Sequence, residues 1–200
     1  MNTSSISSCT AFTGKRLVAS GGLLQVALRA QELANTDRFA QVLIFDDETS
    51  YPVEIDLRGT PDDLSRRIAA AESTIAPSTD HSEETARKPG RPKLGVVPRE
   101  VTLLPRHWEW LASQPGGASV ALRKLVEQAR KTNEGTDRIR AAKEAAYRFL
   151  SAMCGNEPDF EEANRALFAG DQERFAQIIE TWPTDLREHA NKLAARAFAT

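Results

Sequence analysis

Apolar positions recur along this chain with two different periods, and the change from one to the other marks its elements. CTAFTGKRLVAS (9–20) holds two short β-type runs with Thr13-Gly14 between them, which predicts two strands joined by a turn. From Leu23, LLQVALRAQELA places Leu24, Ala27, Leu28 and Leu33 on roughly one side of a helix. QVLIFDD (41–47) is again an apolar β-type run, followed by the polar turn DDETS. YPVEIDL (51–57) alternates Val53, Ile55 and Leu57 with Glu54 and Asp56, as a half-buried strand does. TPDDLSRRI then opens a helix: Thr60 as N-cap, Pro61 at the first helical position, Asp62 and Asp63 at the positive end of the dipole. The predicted order over 1–72 is β-β-α-β-β-α, a small α+β domain of β-grasp type.

Periodicity then stops. Residues 73–98 are rich in Ser, Thr, Pro and charge, and predict a basic Pro/Gly linker. Beyond it, EVTLL (100–104) predicts a strand and PRHWEWLASQ a short helix starting at Pro105. PGG is a break, and SVALRKLVEQARK a second helix with Ser119 as N-cap and an apolar set of Val120, Leu122, Leu125, Val126 and Ala129. Trp108 and Trp110 stand two apart and so diverge on the first helix, which predicts one in the core and the other at an interface. Residues 133–200 read as helical throughout. DRIRAAKEAAYRFLSAM (137–153) stacks Ile139, Ala142, Ala146, Phe149, Leu150 and Met153; PDFEEANRALFAG ends at Gly170; DQERFAQIIETW and TDLREHANKLAARAF follow.

Charge adds what periodicity cannot. The chain is close to neutral overall, at −2, but residues 87–131 hold 10 basic and 3 acidic side chains between two acidic ends. That distribution fits a module that binds a polyanion, or a basic segment that the acidic ends fold over and neutralise. No apolar run is long enough for a spanning helix, which argues against a membrane. MNTSSISSCT has neither a basic start nor an apolar stretch, and Cys9 and Cys154 form no CxxC; both point to a reducing cytoplasm.

Three resemblances follow from particular residues. VTLLP, Gly116-Gly117 and ASVALRKLVEQA resemble the ribbon–helix–helix (Arc/MetJ/CopG-type) fold over 99–131. That resemblance implies a homodimer whose paired strands enter the major groove, with the start of the second helix, at Ser119, on a phosphate. The departure is in the strand: Leu103, Val101 and Arg99 share one face, Leu104, Thr102 and Glu100 the other, and neither has the polar set that reads base edges. KPGRPKLG (88–95) resembles an AT-hook, whose Gly-Arg-Pro core lies in a narrow minor groove. It implies Arg91 in the groove and Lys88 and Lys93 on flanking phosphates, although Pro89 stands where the hook has a second arginine. Nearly the whole chain is similar to a bacterial family of uncharacterised proteins, through the long stretch from GRPKLGVVPREV to EQARK, LVASGGLLQVALRAQ, YRFLSAM and FEEANRALFAGD.

The remaining chemistry is sparse. Gly21-Gly22 lacks the spacing of either phosphate-binding fingerprint and reads as a strand-to-helix turn. Asp46, Asp47 and Glu48 read as a solvated hairpin turn, and His81, His107 and His189 have no ligand spacing. Glu161 and Glu162 diverge on a helix, so no acid–base pair follows. The expectation is therefore not an enzyme, with no catalytic residue, metal or cofactor. It is a DNA-binding or transcription-regulatory protein acting as a dimer, with Lys88, Arg91, Lys93, Arg99, Arg106 and Ser119 on double-stranded DNA. The alternative is a protein-interaction adaptor that binds no nucleic acid.

Overall fold

Strand β1 (Cys9–Thr13) lies at the centre of a three-stranded antiparallel sheet, between β2 (Arg16–Gly21) and β3 (Val42–Asp46). Its place explains its composition: a strand covered on both faces carries apolar residues at successive positions rather than alternate ones. The computed structural model describes residues 8–37, 39–75, 97 and 99–199. The described residues fall into two compact units, the larger built from those up to position 78 and from 135 onward, the smaller from those between. Among the described residues seven helices accompany the sheet, so the fold is α+β and mostly helical: α1 (Leu23–Thr36), α2 (Pro61–Ile75), α3 (Pro105–Ala112), α4 (Gly117–Met153), α5 (Phe160–Ala169), α6 (Gln172–Ile179) and α7 (Thr184–Phe198). No helix among the described residues is long and apolar enough to cross a membrane.

In the larger unit the pleat sorts side chains between two cores. Cys9, Ala11 and Ile44 face α1, where they meet Val26 and Ala30. Phe12 and Phe45 point the other way and join Ala146, Phe149 and Leu150 of α4 with Leu186, Ala190 and Leu193 of α7. The amino-terminal sheet and the carboxy-terminal helices therefore share one core. Ala142, Ala146, Phe149 and Leu150 are buried as their spacing predicts, with Met153 packed at the edge. Gly170 ends α5 in the left-handed region at φ 79°, and Asp171 caps α6 by accepting from the Arg174 N–H at 3.0 Å.

The start of α2 follows its residues closely. The Thr60 hydroxyl accepts from the Asp63 N–H at 3.2 Å, and the Asp63 carboxylate accepts from the Thr60 N–H at 3.0 Å. This is a reciprocal capping box with Asp in place of Glu.

Three expectations need correction. Residues 51–57 form no strand: among the described residues the only ladder contact is an isolated Phe45–Pro52 bridge, with the Val53 N–H donating to Ile44 at 2.7 Å. Val53, Ile55 and Leu57 nevertheless pack inward as the alternation predicts. On α1 the buried set is Val26, Ala27, Ala30 and Gln31, while Leu24 is exposed. Gln31 earns its place by donating to the carbonyls of Leu57, at 2.8 Å, and Gly59, at 3.3 Å. Finally, the helix expected from Ser119 and the one expected at 137–153 are one helix, and α4 runs unbroken for 37 residues. Gly135 costs a helix about 1 kcal/mol, which a helix of that length absorbs.

Candidate functional site

The smaller unit holds the described part of the predicted DNA-binding segment. Residues 99–104 form no strand pairing with any described residue. Leu104 is extended (φ −66°, ψ 150°) and leads into α3, with Pro105 at its first position. The chain turns through Gly116 (φ 88°) and Gly117 (φ 74°), both in the left-handed region. A Cβ at Gly116 would stand 3.1 Å from that of Val120, so this turn admits only glycine without displacement. Ser119 is not the N-cap: the helix begins at Gly117 and places Ser119 inside its first turn, where its carbonyl accepts from Arg123 Nε at 3.2 Å.

Among this unit's described residues, little apolar surface is covered. Leu111 and Ala121 are its buried hydrophobic residues among those described. Trp108 and Trp110 are both exposed, the latter at 51 %, so neither takes the core position expected of one of them. Val101, Leu104 and Leu125 are exposed, and Val126 is so at 63 %. On α4, Leu122, Leu125, Val126 and Ala129 recur at helical spacing along one side, with Arg123, Lys124, Arg130 and Lys131 on the other.

Of the six residues assigned to DNA, Lys88, Arg91 and Lys93 lie outside the described residues. Arg99, Arg106 and Ser119 are all exposed, before α3, in its first turn and in the first turn of α4 respectively. No hydrogen bond or ion pair joins these three to one another.

A second centre, in the larger unit, escaped the sequence reading. Asp47 is not a solvated turn residue but is buried, at 8 % exposure. Its carboxylate accepts from Thr10 Oγ1 at 2.6 Å, Ser8 Oγ at 3.1 Å and Lys192 Nζ at 2.8 Å. Thr10 has one hydroxyl proton and gives it to Asp47, so Ser20 donates to Thr10 across 3.0 Å. Burial alone would raise the Asp47 pKa, but Lys192 and the two hydroxyls outweigh it and hold the carboxyl below its ordinary value. The turn beside it is fixed by Asp46, whose Oδ1 accepts from the Glu48 N–H at 3.1 Å, the Thr49 N–H at 2.7 Å and the Thr49 hydroxyl at 2.6 Å. Ser50 then adopts φ 54°.

Two arginines clasp that turn. Arg196 donates to the Asp47 carbonyl at 2.8 Å, and Arg148 donates to that of Thr49. The Arg148 guanidinium also lies 4.1 Å from the centroid of the Tyr51 ring and 3.6 Å from Glu144. Both arginines border a depression of about 410 Å³, together with Arg138.

Close by, His189 is buried between Phe12, at 5.3 Å, and Phe149, at 4.5 Å, and its Nε2 has no hydrogen-bond partner among the described residues. Burial pushes its pKa down to about 4; Asp47 opposes that shift and Lys192 adds to it. Between pH 6.5 and about 4 the unfolded chain therefore binds a proton that the folded chain refuses, and stability falls as pH falls through that window. The loss is on the order of 3 kcal/mol for His189, and Asp47 adds a further loss below it as its carboxylate is protonated. Urea titrations at pH 7 and pH 5 should show a lower midpoint in acid, and His189→Gln should flatten the difference. An unchanged midpoint would refute it. The thiols offer no chemistry here: burial, with acidic neighbours, raises Cys9 to about 11 and Cys154 to about 12.

No curated protein and no solved structure matches the chain. A family described as an uncharacterised protein conserved in bacteria (DUF2239) matches it over residues 8–194, and the chain belongs to that family.

Proposed function

We propose that this chain is a DNA-binding, transcription-regulatory protein that works as a homodimer assembled through residues 99–134. The observation that carries the reading is the first part of α4, which has an uncovered apolar stripe on one side and four basic residues on the other. A stripe of this kind on a soluble protein marks a surface that is covered in the working assembly.

A second copy of the same segment is the occupant. Apart from the Leu104 carbonyl, which α3 uses, residues 99–104 offer backbone N–H and C=O groups without sheet partners among the described residues, and an antiparallel copy of the same segment satisfies them symmetrically. The ribbon–helix–helix resemblance points to the same pairing. Association also doubles the charge of +7 carried by residues 87–131, and a polyanion relieves the repulsion that results. Arg99 and Arg106 supply phosphate contacts, the first-turn amides around Ser119 a further one, and Lys88, Arg91 and Lys93 follow the hook resemblance.

The apolar faces of 99–104 favour a second reading, in which the dimer is an adaptor that binds no DNA. Fluorescence anisotropy with a labelled duplex separates the two. The DNA reading expects binding that weakens by roughly 0.9 log unit per neutralised phosphate for each log unit of salt. Arg99→Ala should reduce that slope by about one and weaken all duplexes alike. No salt-sensitive binding at micromolar protein sinks the DNA reading and leaves the adaptor.

A further inference from the structure

The depression beside the Asp46–Ser50 turn has the make-up of a ligand site. Its volume of about 410 Å³ lies within the 300–1,000 Å³ typical of small-molecule sites. Three guanidinium groups border it, those of Arg138, Arg148 and Arg196. Arg148 and Arg196 are already held by the carbonyls of Thr49 and Asp47, so neither loses much side-chain freedom when an anion arrives. Arg138 has no hydrogen-bond or ion-pair partner among the described residues and keeps all its donors.

Charge alone would suggest a site for a plain anion, but the rest of the lining argues otherwise. Glu48 and Glu144 also border the depression, and their carboxylates would repel an inorganic anion. Glu144 is engaged with Arg148, whereas Glu48 has no ion-pair partner among the described residues and remains an acceptor for hydroxyl donors. Ala141 and Ala199 present small apolar surface, and the ring of Tyr51, 57 % exposed, stands against Arg148. Anion donors, a carboxylate acceptor, an aromatic ring and small apolar side chains together match a phosphate, a sugar diol and a planar ring.

We propose that this depression binds a nucleoside mono- or diphosphate, with its phosphate on Arg138 and Arg196, its ribose hydroxyls on Glu48 and its base against Tyr51 and Ala141. Arg148 orients Tyr51 and adds positive potential. The site shares no residue with the segment proposed to bind DNA.

Isothermal titration of the full chain with AMP, ADP, adenosine and pyrophosphate tests the assignment. AMP or ADP should saturate at one ligand per chain, with adenosine and pyrophosphate each weaker by about ten-fold or more. Arg138→Ala should weaken nucleotide binding by about ten-fold with the melting temperature of the free protein unchanged, because that side chain is exposed and unpaired. Tyr51→Leu should weaken nucleotides and leave pyrophosphate unaffected. Pyrophosphate binding as tightly as ADP would overturn the proposal in favour of a plain anion site. So would nucleotide binding that both variants leave intact, or no binding of either nucleotide at millimolar concentration.

Discussion

Phe149→Ala is expected to destabilise the larger unit by about 3–5 kcal/mol, a large part of the ~5–15 kcal/mol that holds a domain folded. Phe149 is fully buried, and its ring touches three others: Phe12 at 5.4 Å, Phe45 at 5.6 Å and His189 at 4.5 Å. Those neighbours come from β1, β3 and α7, so one side chain ties the sheet to two helices distant in sequence. Truncation removes the transfer energy of the ring, leaves a cavity that a rigid sheet closes poorly, and forfeits the edge-to-face contact with Phe45, worth about 0.5–1.5 kcal/mol, and two tilted ring contacts. Phe149→Leu, which keeps most of the volume, should cost much less.

Urea denaturation at neutral pH measures both variants. The same experiment has a second readout, because the cavity admits water to His189. Its pKa should rise toward its ordinary value in Phe149→Ala, and the loss of stability between pH 6.5 and 4 should shrink. A cost below about 1 kcal/mol for Phe149→Ala would mean that the aromatic cluster is not the centre of this core.

How much of this was legible beforehand depends on the range over which each residue acts. The capping box at Thr60 and Asp63, the stop at Gly170 and the buried side of α4 near Phe149 rest on residues three or four apart, and periodicity reports those separations. Val53, Ile55 and Leu57 show where such reasoning halts. Alternation places them inward correctly, yet it does not say whether their backbone pairs, and only the bridge at Pro52 forms among the described residues. Asp47 lies further still from local signals. Its partners Thr10 and Lys192 are 37 and 145 positions away, so DDETS reads like any solvated turn. The same holds for the nucleotide-site candidates, since Arg138 and Arg148 come from α4 and Arg196 from α7. A weak hint was present, in a carboxylate that follows an apolar strand and a helix that repeats basic residues at Lys192 and Arg196. Trp108 and Trp110 failed for another reason: divergence on a helix predicts one buried side only when the chain itself supplies the cover.

That missing cover underlies the second large effect, the conversion of the dimer to a monomer by Val126→Asp. In a single chain Val126 is 63 % exposed, so an aspartate there meets water and costs the fold almost nothing. In the proposed dimer the same position lies on the stripe with Leu122, Leu125 and Ala129, and a carboxylate is stripped of water with no partner. Burying an unpaired charge costs several kcal/mol, and each 1.4 kcal/mol is tenfold in affinity, so the dissociation constant should rise by about a hundredfold or more. Light scattering behind size exclusion should then report twice 22.0 kDa for the parent chain and 22.0 kDa for the variant at the same micromolar concentration. Val126→Thr, which adds a hydroxyl but no charge, should fall between them. Duplex affinity should drop in parallel, because two linked basic faces bind a polyanion far more tightly than either alone. The melting transition of the larger unit should stay where it was, which separates lost assembly from lost folding. A parent chain that is monomeric at micromolar concentration, or a Val126→Asp chain that remains dimeric, removes the self-association on which the proposed function rests.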